Sequence, residues 1–284
     1  MESISLGFKA FDVHELASHF VARHAGLYAR HHLDVALVDT TFGATDRPPL
    51  FSAACGAALC EWLGGADNEV VFVAAERPMF WLYARSDVGG LGDLAGRAVA
   101  GYPDAAPPAA LSRAFLQARA VGPDTVTFIP ARDDAARIGL LGDDAVAAAV
   151  VSSAVAPRSM EQRGYRELAW FGEDLRVPTT GLAIAAGARA AHGDVIAAMC
   201  ACYRDALALI HDEIGVLEAA LADVLTANDA DRAALASRVR LAYTRDGLCS
   251  RAVLETGVES LATALRCHDV RSIDSLYAAA MSAD

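Results

Sequence analysis

The sequence predicts an α/β fold of two lobes with parallel-rich sheets and a helical C-terminal region. Three observations carry that prediction. The opening segment ISLGFKAFDVHELASHFVARHAGLYARHHLDVALVDT, Ile4 to Thr40, reads as strand, polar loop, helix and strand, which is one β-α-β unit. Roughly residues 80 to 178 repeat the alternation, and strands alternating with helices imply parallel sheets with right-handed crossovers. The length, 284 residues with 54% hydrophobic content, suffices for two cores of ordinary size.

After the opening unit, Thr41 to Pro49 (TFGATDRPP) is a turn-rich linker, LFSAAC a short strand, and GAALCEWLGG a helix. VVFVAA reads as a buried parallel strand, and the turn signals at Glu76 to Pro78 mark a crossing out of the first lobe. The middle lobe then runs RAVAGY, PPAALSRAFLQARA, TVTFIP, DDAARIGLL, VAAAVV, APRSMEQRG and ELAWFG, strand and helix in turn. From His192 onward Ala and Leu recur at helical periods, and these helices are expected to pack back on the first lobe.

A formal net charge of -12 would repel a phosphate backbone, and no Lys or Arg stripe offsets it, so a nucleic-acid partner is not expected. Membrane insertion is not expected either, because the longest apolar candidate, Val70 to Ala84, is interrupted by Glu76, Arg77 and Pro78. The first strand begins about three residues after Met1, with no basic and apolar leader before it, so the chain as written is expected to be cytoplasmic, and periplasmic or extracellular if a leader was removed. Cys55, Cys60, Cys200, Cys202, Cys249 and Cys267 do not form a dense disulfide scaffold.

The segments GFKAFDVH, GLY at Gly26 to Tyr28, LDVAL at Leu33 to Leu37, RPMFWLYARSDVGGLGDLAGRAVA, DDAVAAAVVSSAVAP and VPTTGLAIA together resemble the type II periplasmic-binding-protein fold, in particular its aliphatic-sulfonate and thiamine-precursor (pyrimidine synthase-like) branch. The resemblance implies two interdomain crossings, near 76 to 80 and 178 to 185, which is the geometry for hinge closure on a ligand. It implies lobe 1 over 1–77 plus 184–284 and lobe 2 over 78–183. It also implies an anionic group held by backbone amides at a helix N-terminus of the second lobe. Pro107 and Pro108 remove two such donors here, which points to an apolar or aromatic ligand portion, or else Ala109 and Ala110 provide what amides remain. The family's substrate-forming lysine and cysteine-rich run are missing, so the pyrimidine-synthase activity is not implied.

Several residues are candidates for ligand contact. The loop after the first strand offers Lys9, Phe11, Asp12 and His14 at the carboxyl end of that strand, where ligands bind in open α/β sheets. Asp12 also suits the N-cap of the helix beginning near Val13. His14 could donate or accept as a neutral imidazole, or could simply be satisfied by backbone or solvent. Lys9, the sole lysine, reflects either coding bias or an anion contact. Cys55 opens a helix, where the dipole could activate its thiol, although burial as a packing residue is the commoner fate. Trp81 shares a strand face with Tyr83, as core or as stacking wall. Tyr102, Ser152, Ser153, Thr179 and Thr180 complete the lining, the serines and threonines with turn or backbone roles as alternatives.

No metal or cofactor is expected, since His14, His19 and His24 are spaced by five, whereas a zinc pair on one helix face needs three or four. The function expected is binding of a small organic molecule, aromatic or anionic, in the interdomain cleft, with an ABC permease as a partner if the chain is exported. The alternative is a cytoplasmic metal-free enzyme of lyase, decarboxylase or dehydratase type, using His14 and Cys55. Fold alone does not separate these.

Overall fold

The computed structural model describes residues 2–41 and 48–282, so most of the expected linker, residues 42–47, lies outside the described residues. Two five-stranded mixed sheets form two lobes. The first contains β1 (Glu2–Phe8), β2 (Leu33–Asp39), β3 (Phe51–Ser52), β4 (Asn68–Ala75) and β10 (Thr180–Ala185), in the order β2-β1-β3-β10-β4. The second contains β5 (Phe80–Ala84), β6 (Ala98–Gly101), β7 (Thr127–Pro130), β8 (Ala148–Ser152) and β9 (Arg166–Trp170), in the order β7-β6-β8-β5-β9.

Each sheet is parallel except for the strand by which the chain enters it from the other lobe. β1 runs parallel to β2 and β3, and β6 runs parallel to β7 and β8. β5 lies antiparallel to β8 and β9, and β10 antiparallel to β3 and β4. VVFVAA, expected as a parallel strand, therefore pairs antiparallel as β4: it points the same way as β1 and β3, but the returning β10 wedges between them. Because β10 begins at Thr180 inside the first sheet, the return crossing falls upstream of the boundary expected at 183/184.

The helices follow their strands: α1 (Val13–His24) and α2 (Leu27–Arg30) between β1 and β2, α3 (Cys55–Leu63) after β3, α4 (Pro107–Ala118), α5 (Asp134–Gly142) and α6 (Pro157–Gln162) after β6, β7 and β8, and α7 (Phe171–Asp174) after β9. The C-terminal region supplies α8 (Ala188–Asp212), α9 (Ile214–Ala222), α10 (Asp229–Ala242), α11 (Arg251–Leu265) and α12 (Asp274–Tyr277).

Alternation along the strands feeds two cores, each of which runs through both lobes. Leu6, Phe72, Trp81, Tyr83, Val151 and Trp170 belong to one, which α1, α8 and α9 cover. Val70, Val73, Leu82, Val150, Phe115 and Phe171 belong to the other, covered by α3, α4, α11 and α12. The C-terminal helices do pack back on lobe 1, but α11 also lies against α4 of lobe 2, so that this region straddles the two. Its link to β4 needs a glycine: Gly247 has φ +83, its carbonyl accepts from Val73 N at 2.9 Å, and a Cβ there would fall into the Phe72 ring.

Candidate functional site between the lobes

The site begins with the loop that leaves β1. Glu15 folds back from the first turn of α1, its carboxylate oxygens accepting from Lys9 N at 2.7 Å and Ala10 N at 3.0 Å. Asp12 caps the helix, as expected, Oδ1 accepting from Glu15 N at 2.8 Å. This reciprocal arrangement fixes where α1 starts and so aims His14 at the second lobe. His14 N donates to Ser153 Oγ at 2.7 Å across the interface, Nε2 shares a 2.8 Å hydrogen bond with Thr179 Oγ1, and its carbonyl accepts from Tyr243 Oη at 2.7 Å. Thr180 Oγ1 donates to the Glu15 carbonyl at 3.0 Å. Burial pushes the His14 pKa down to about 3, so the imidazole is neutral at physiological pH.

Lobe 2 meets this loop with the carboxyl ends of β6, β7 and β8. Asp133 caps α5, accepting from Ala136 N at 2.8 Å. Asp134, next in the chain, accepts from Ser152 N at 3.0 Å, Ser152 Oγ at 2.6 Å and an Arg137 guanidinium nitrogen at 2.7 Å. Arg137 is only 1% exposed; it also donates to the carbonyls of Val150 at 2.7 Å and Ala131 at 3.0 Å, and its guanidinium carbon sits 3.7 Å from the centre of the Tyr102 ring. Tyr102 stands edge-on to Phe80 at 5.7 Å, and Phe80 edge-on to His14 at 5.4 Å, so aromatic contacts run continuously from one lobe to the other.

The electrostatics of this contact are dominated by carboxyl groups. Asp12, 3% exposed, has its pKa pushed up to about 7, first by desolvation and further by the negative field of Asp134 across the interface. Desolvation, and then Asp12, push Glu15 up to about 8. Two cavities, of about 90 and 10 Å³, lie away from this cluster, one beside β3 near Leu50 and Asn68 and the other in the lobe 2 core near Phe115.

Asp12, His14, Tyr102, Ser152, Ser153, Thr179 and Thr180 thus come together at one interface. The other candidates do not. Lys9 is exposed at the lip, with Nζ donating to the Thr40 carbonyl at 3.1 Å. Phe11 is 55% exposed and turns its ring to Phe8 and Phe20. Cys55 is fully buried in the core, its thiol 3.7 Å from the Phe72 carbonyl, and burial raises its pKa well above the ordinary range, so the arrangement opposes the nucleophilic role. Trp81 fills the core beside Tyr83, opposite Trp170 in the strand register. It is the neighbouring Phe80, on the other face of β5, that reaches the interface.

Sequence reasoning missed Glu15, Phe80, Asp134, Arg137 and Tyr243. For Asp134 a signal existed, since an Asp-Asp pair opens the helix after β7 at the carboxyl end of the sheet, where the ligand-facing loops gather. Tyr243 arrives from a distant helix and leaves no local mark. Among the described residues no group of three or more His, Cys, Asp or Glu side chains could hold a metal ion, and no helix is long and apolar enough to cross a membrane.

Two mixed α/β sheets joined by paired crossings, with strand ends converging between them, define the periplasmic-binding-protein fold. A Candida albicans gene product described as exhibiting that generic fold superposes with a TM-score of 0.76 at 12% identity, over 100% of this chain and 99% of that one. The ligand-binding component of an ABC-type import system from Staphylococcus aureus gives 0.75 at 11% identity, over 98% and 96%. The periplasmic aliphatic sulphonate binding protein of Escherichia coli gives 0.73 at 16%, over 94% and 92%. No protein-family model matches the chain, and no curated protein is similar to it in sequence.

Proposed function

We propose that this protein binds a small organic molecule between its lobes and closes over it, as a solute-binding-protein-like receptor. The observation that carries the reading is the interface itself. Strand ends of both lobes bring hydroxyls, carboxyls and aromatic rings to one place, and the lobes are joined by only two short crossings, at 76–79 and 175–179. The enzyme reading is less well supported, because Cys55 is sequestered in the core and the neutral His14 is already engaged by Thr179.

A solute that binds only the closed form stabilises it, by about 2.7 kcal/mol at a hundredfold excess over Kd. A thermal-shift screen of small organic solutes, followed by small-angle scattering with and without each hit, tests the reading. Stabilisation together with a more compact particle is expected. Hits that stabilise without changing the scattering profile at any pH would remove the closure part. Partnership with an import permease is the further part of the proposal, and it requires the protein outside the inner membrane; recovery of the full-length gene product solely in the cytosolic fraction would exclude it.

A further inference from the structure

We propose that the C-terminal region sets how readily the lobes part, through a latch at the two crossings made by Cys249, Glu76 and Arg176 and seated on Gly257 of α11. The inference rests on the closure reading above and adds where that motion is controlled. Because the crossings are short, any hinge rotation must be absorbed within residues 76–79 and 175–179. Neither stretch is free. Glu76 is held to the first lobe from beyond the sheet, its amide donating to the Ala242 carbonyl at 3.0 Å and its Oε2 accepting from the Cys249 thiol at 3.2 Å. Cys249 is in turn fixed by the segment at 280–282, its amide donating to the Ala280 carbonyl and its carbonyl accepting from Ser282 N, both at 2.9 Å.

The return crossing is tied to the same carboxylate. Leu175 N donates to the Phe171 carbonyl in lobe 2 at 2.9 Å, and Thr179 N to the Ala75 carbonyl in lobe 1 at 3.0 Å, so the residues that turn between the lobes are Arg176, Val177 and Pro178. Arg176 forms an ion pair with Glu76, which joins the turning stretch of one crossing to the anchored start of the other. α11 supports that stretch from behind: a Cβ at Gly257 would stand 3.1 Å from the Arg176 carbonyl oxygen and 3.2 Å from Val177 Cα. The outward crossing has the converse tie, Arg77 donating to the Gly172 carbonyl of α7 in lobe 2 at 2.7 Å. Tyr243 connects the latch to the interface, because its backbone bridges to Ala75 while its hydroxyl donates to the His14 carbonyl at 2.7 Å. The latch is formed together with the His14 N to Ser153 Oγ bond, so it belongs to the closed arrangement.

The test is residue-resolved amide hydrogen exchange on the full chain without added solute. His14 N finds its acceptor, Ser153 Oγ, in lobe 2, whereas Glu15 N is held by Asp12 within its own loop. An opening that frees His14 but not Glu15 is therefore parting of the lobes and not fraying of α1. In the parent protein His14 is expected to exchange faster than Glu15. Arg176→Met should raise the His14 rate about threefold with Glu15 unchanged, the size expected of a part-exposed ion pair. Gly257→Ala, whose methyl group presses the return crossing away from α11, should raise it as well, and serves as a second variant that leaves every charge in place. Arg189→Met removes the ion pair with Glu69 at the opposite end of β4 and should leave the His14 to Glu15 ratio at the parent value. A His14 rate unchanged by both latch substitutions, or raised as much by Arg189→Met, would overturn the latch and leave the closure reading standing. A parent protein in which His14 exchanges no faster than Glu15 would overturn the closure reading and the latch with it.

Discussion

Asp12 gives the closed interface a pH dependence opposite to that of an ordinary salt-bridged carboxylate. Its carboxyl titrates at about 7 in the folded chain against 3.8 when free in solvent. The native protein therefore holds this proton more tightly than the unfolded one. The contribution is fully present below pH 3.8 and is lost progressively as pH rises through about 7. At about 1.4 kcal/mol per pH unit, the whole span is worth about 4 kcal/mol. Glu15, titrating at about 8, acts with the same sign, whereas His14 and His19, held at about 3 and about 4 against 6.5 when free, act with the opposite sign and offset the two carboxyls up to about pH 6.5. Parting of the lobes, the motion proposed above, would limit the loss by rehydrating Asp12 at the cost of the His14 N to Ser153 Oγ bond. Asn caps a helix about as well as Asp, so Asp12→Asn removes the titration and keeps α1. Urea unfolding from pH 6.5 to pH 8.5 should show the parent losing stability as pH rises and Asp12→Asn losing less, with the difference between the two proteins approaching about 4 kcal/mol at the alkaline end unless opening intervenes. Opening would appear in scattering as expansion of the parent above pH 7. Parallel pH profiles for the two proteins, or a parent that gains stability towards pH 8, would refute the reasoning.

Arg137→Met strands Asp134 and leaves two buried carbonyls without their donor, and should cost about 3 to 5 kcal/mol in chemical denaturation; adding Asp134→Asn should recover part of that. Ser153→Ala leaves the buried His14 amide without its acceptor, and should weaken closure by about 1 to 3 kcal/mol, seen as a larger open fraction in scattering at neutral pH. Cys55 should resist alkylation in the folded protein and react only on unfolding; mass-spectrometric mapping that finds it labelled first among the cysteines would contradict its burial.

The fold was legible because its signals are local and periodic. The β-α-β opening, the alternation through the middle lobe and the Asp12 cap each depend on residues a few positions apart, and all three appear in the structure. The antiparallel entry of β5 and β10 was not legible, because buried strands read as apolar runs whichever way their neighbours point. At the interface the residues offered for their hydroxyls, Ser152, Ser153, Thr179 and Thr180, lie together, while Trp81 and Cys55 were drawn in by residue type and not by position. Trp81 sits one residue from Phe80, and in a strand one residue changes the face. Lys9 stood out by rarity, yet its ammonium rests on the Thr40 carbonyl at the surface. Arg137 and Asp134 acquire their importance only through Ser152, Val150 and Tyr102, partners that no short-range pattern connects to them.

The wedging of β10 between β3 and β4 also dictates the order in which the chain can mature on the ribosome. When β4 has emerged, the slot that joins it to β3 is still vacant, because the strand that fills it begins at Thr180, about 100 residues later. Elongation at roughly 5 to 20 residues per second leaves that gap open for about 5 to 20 seconds. Lobe 2 is made from one uninterrupted stretch and can complete its own sheet within that interval, with Trp81 meeting Trp170 before Ala75 meets Thr180. The nascent first lobe meanwhile exposes the edges of β3 and β4, the kind of unpaired strand edge that holdase chaperones shield.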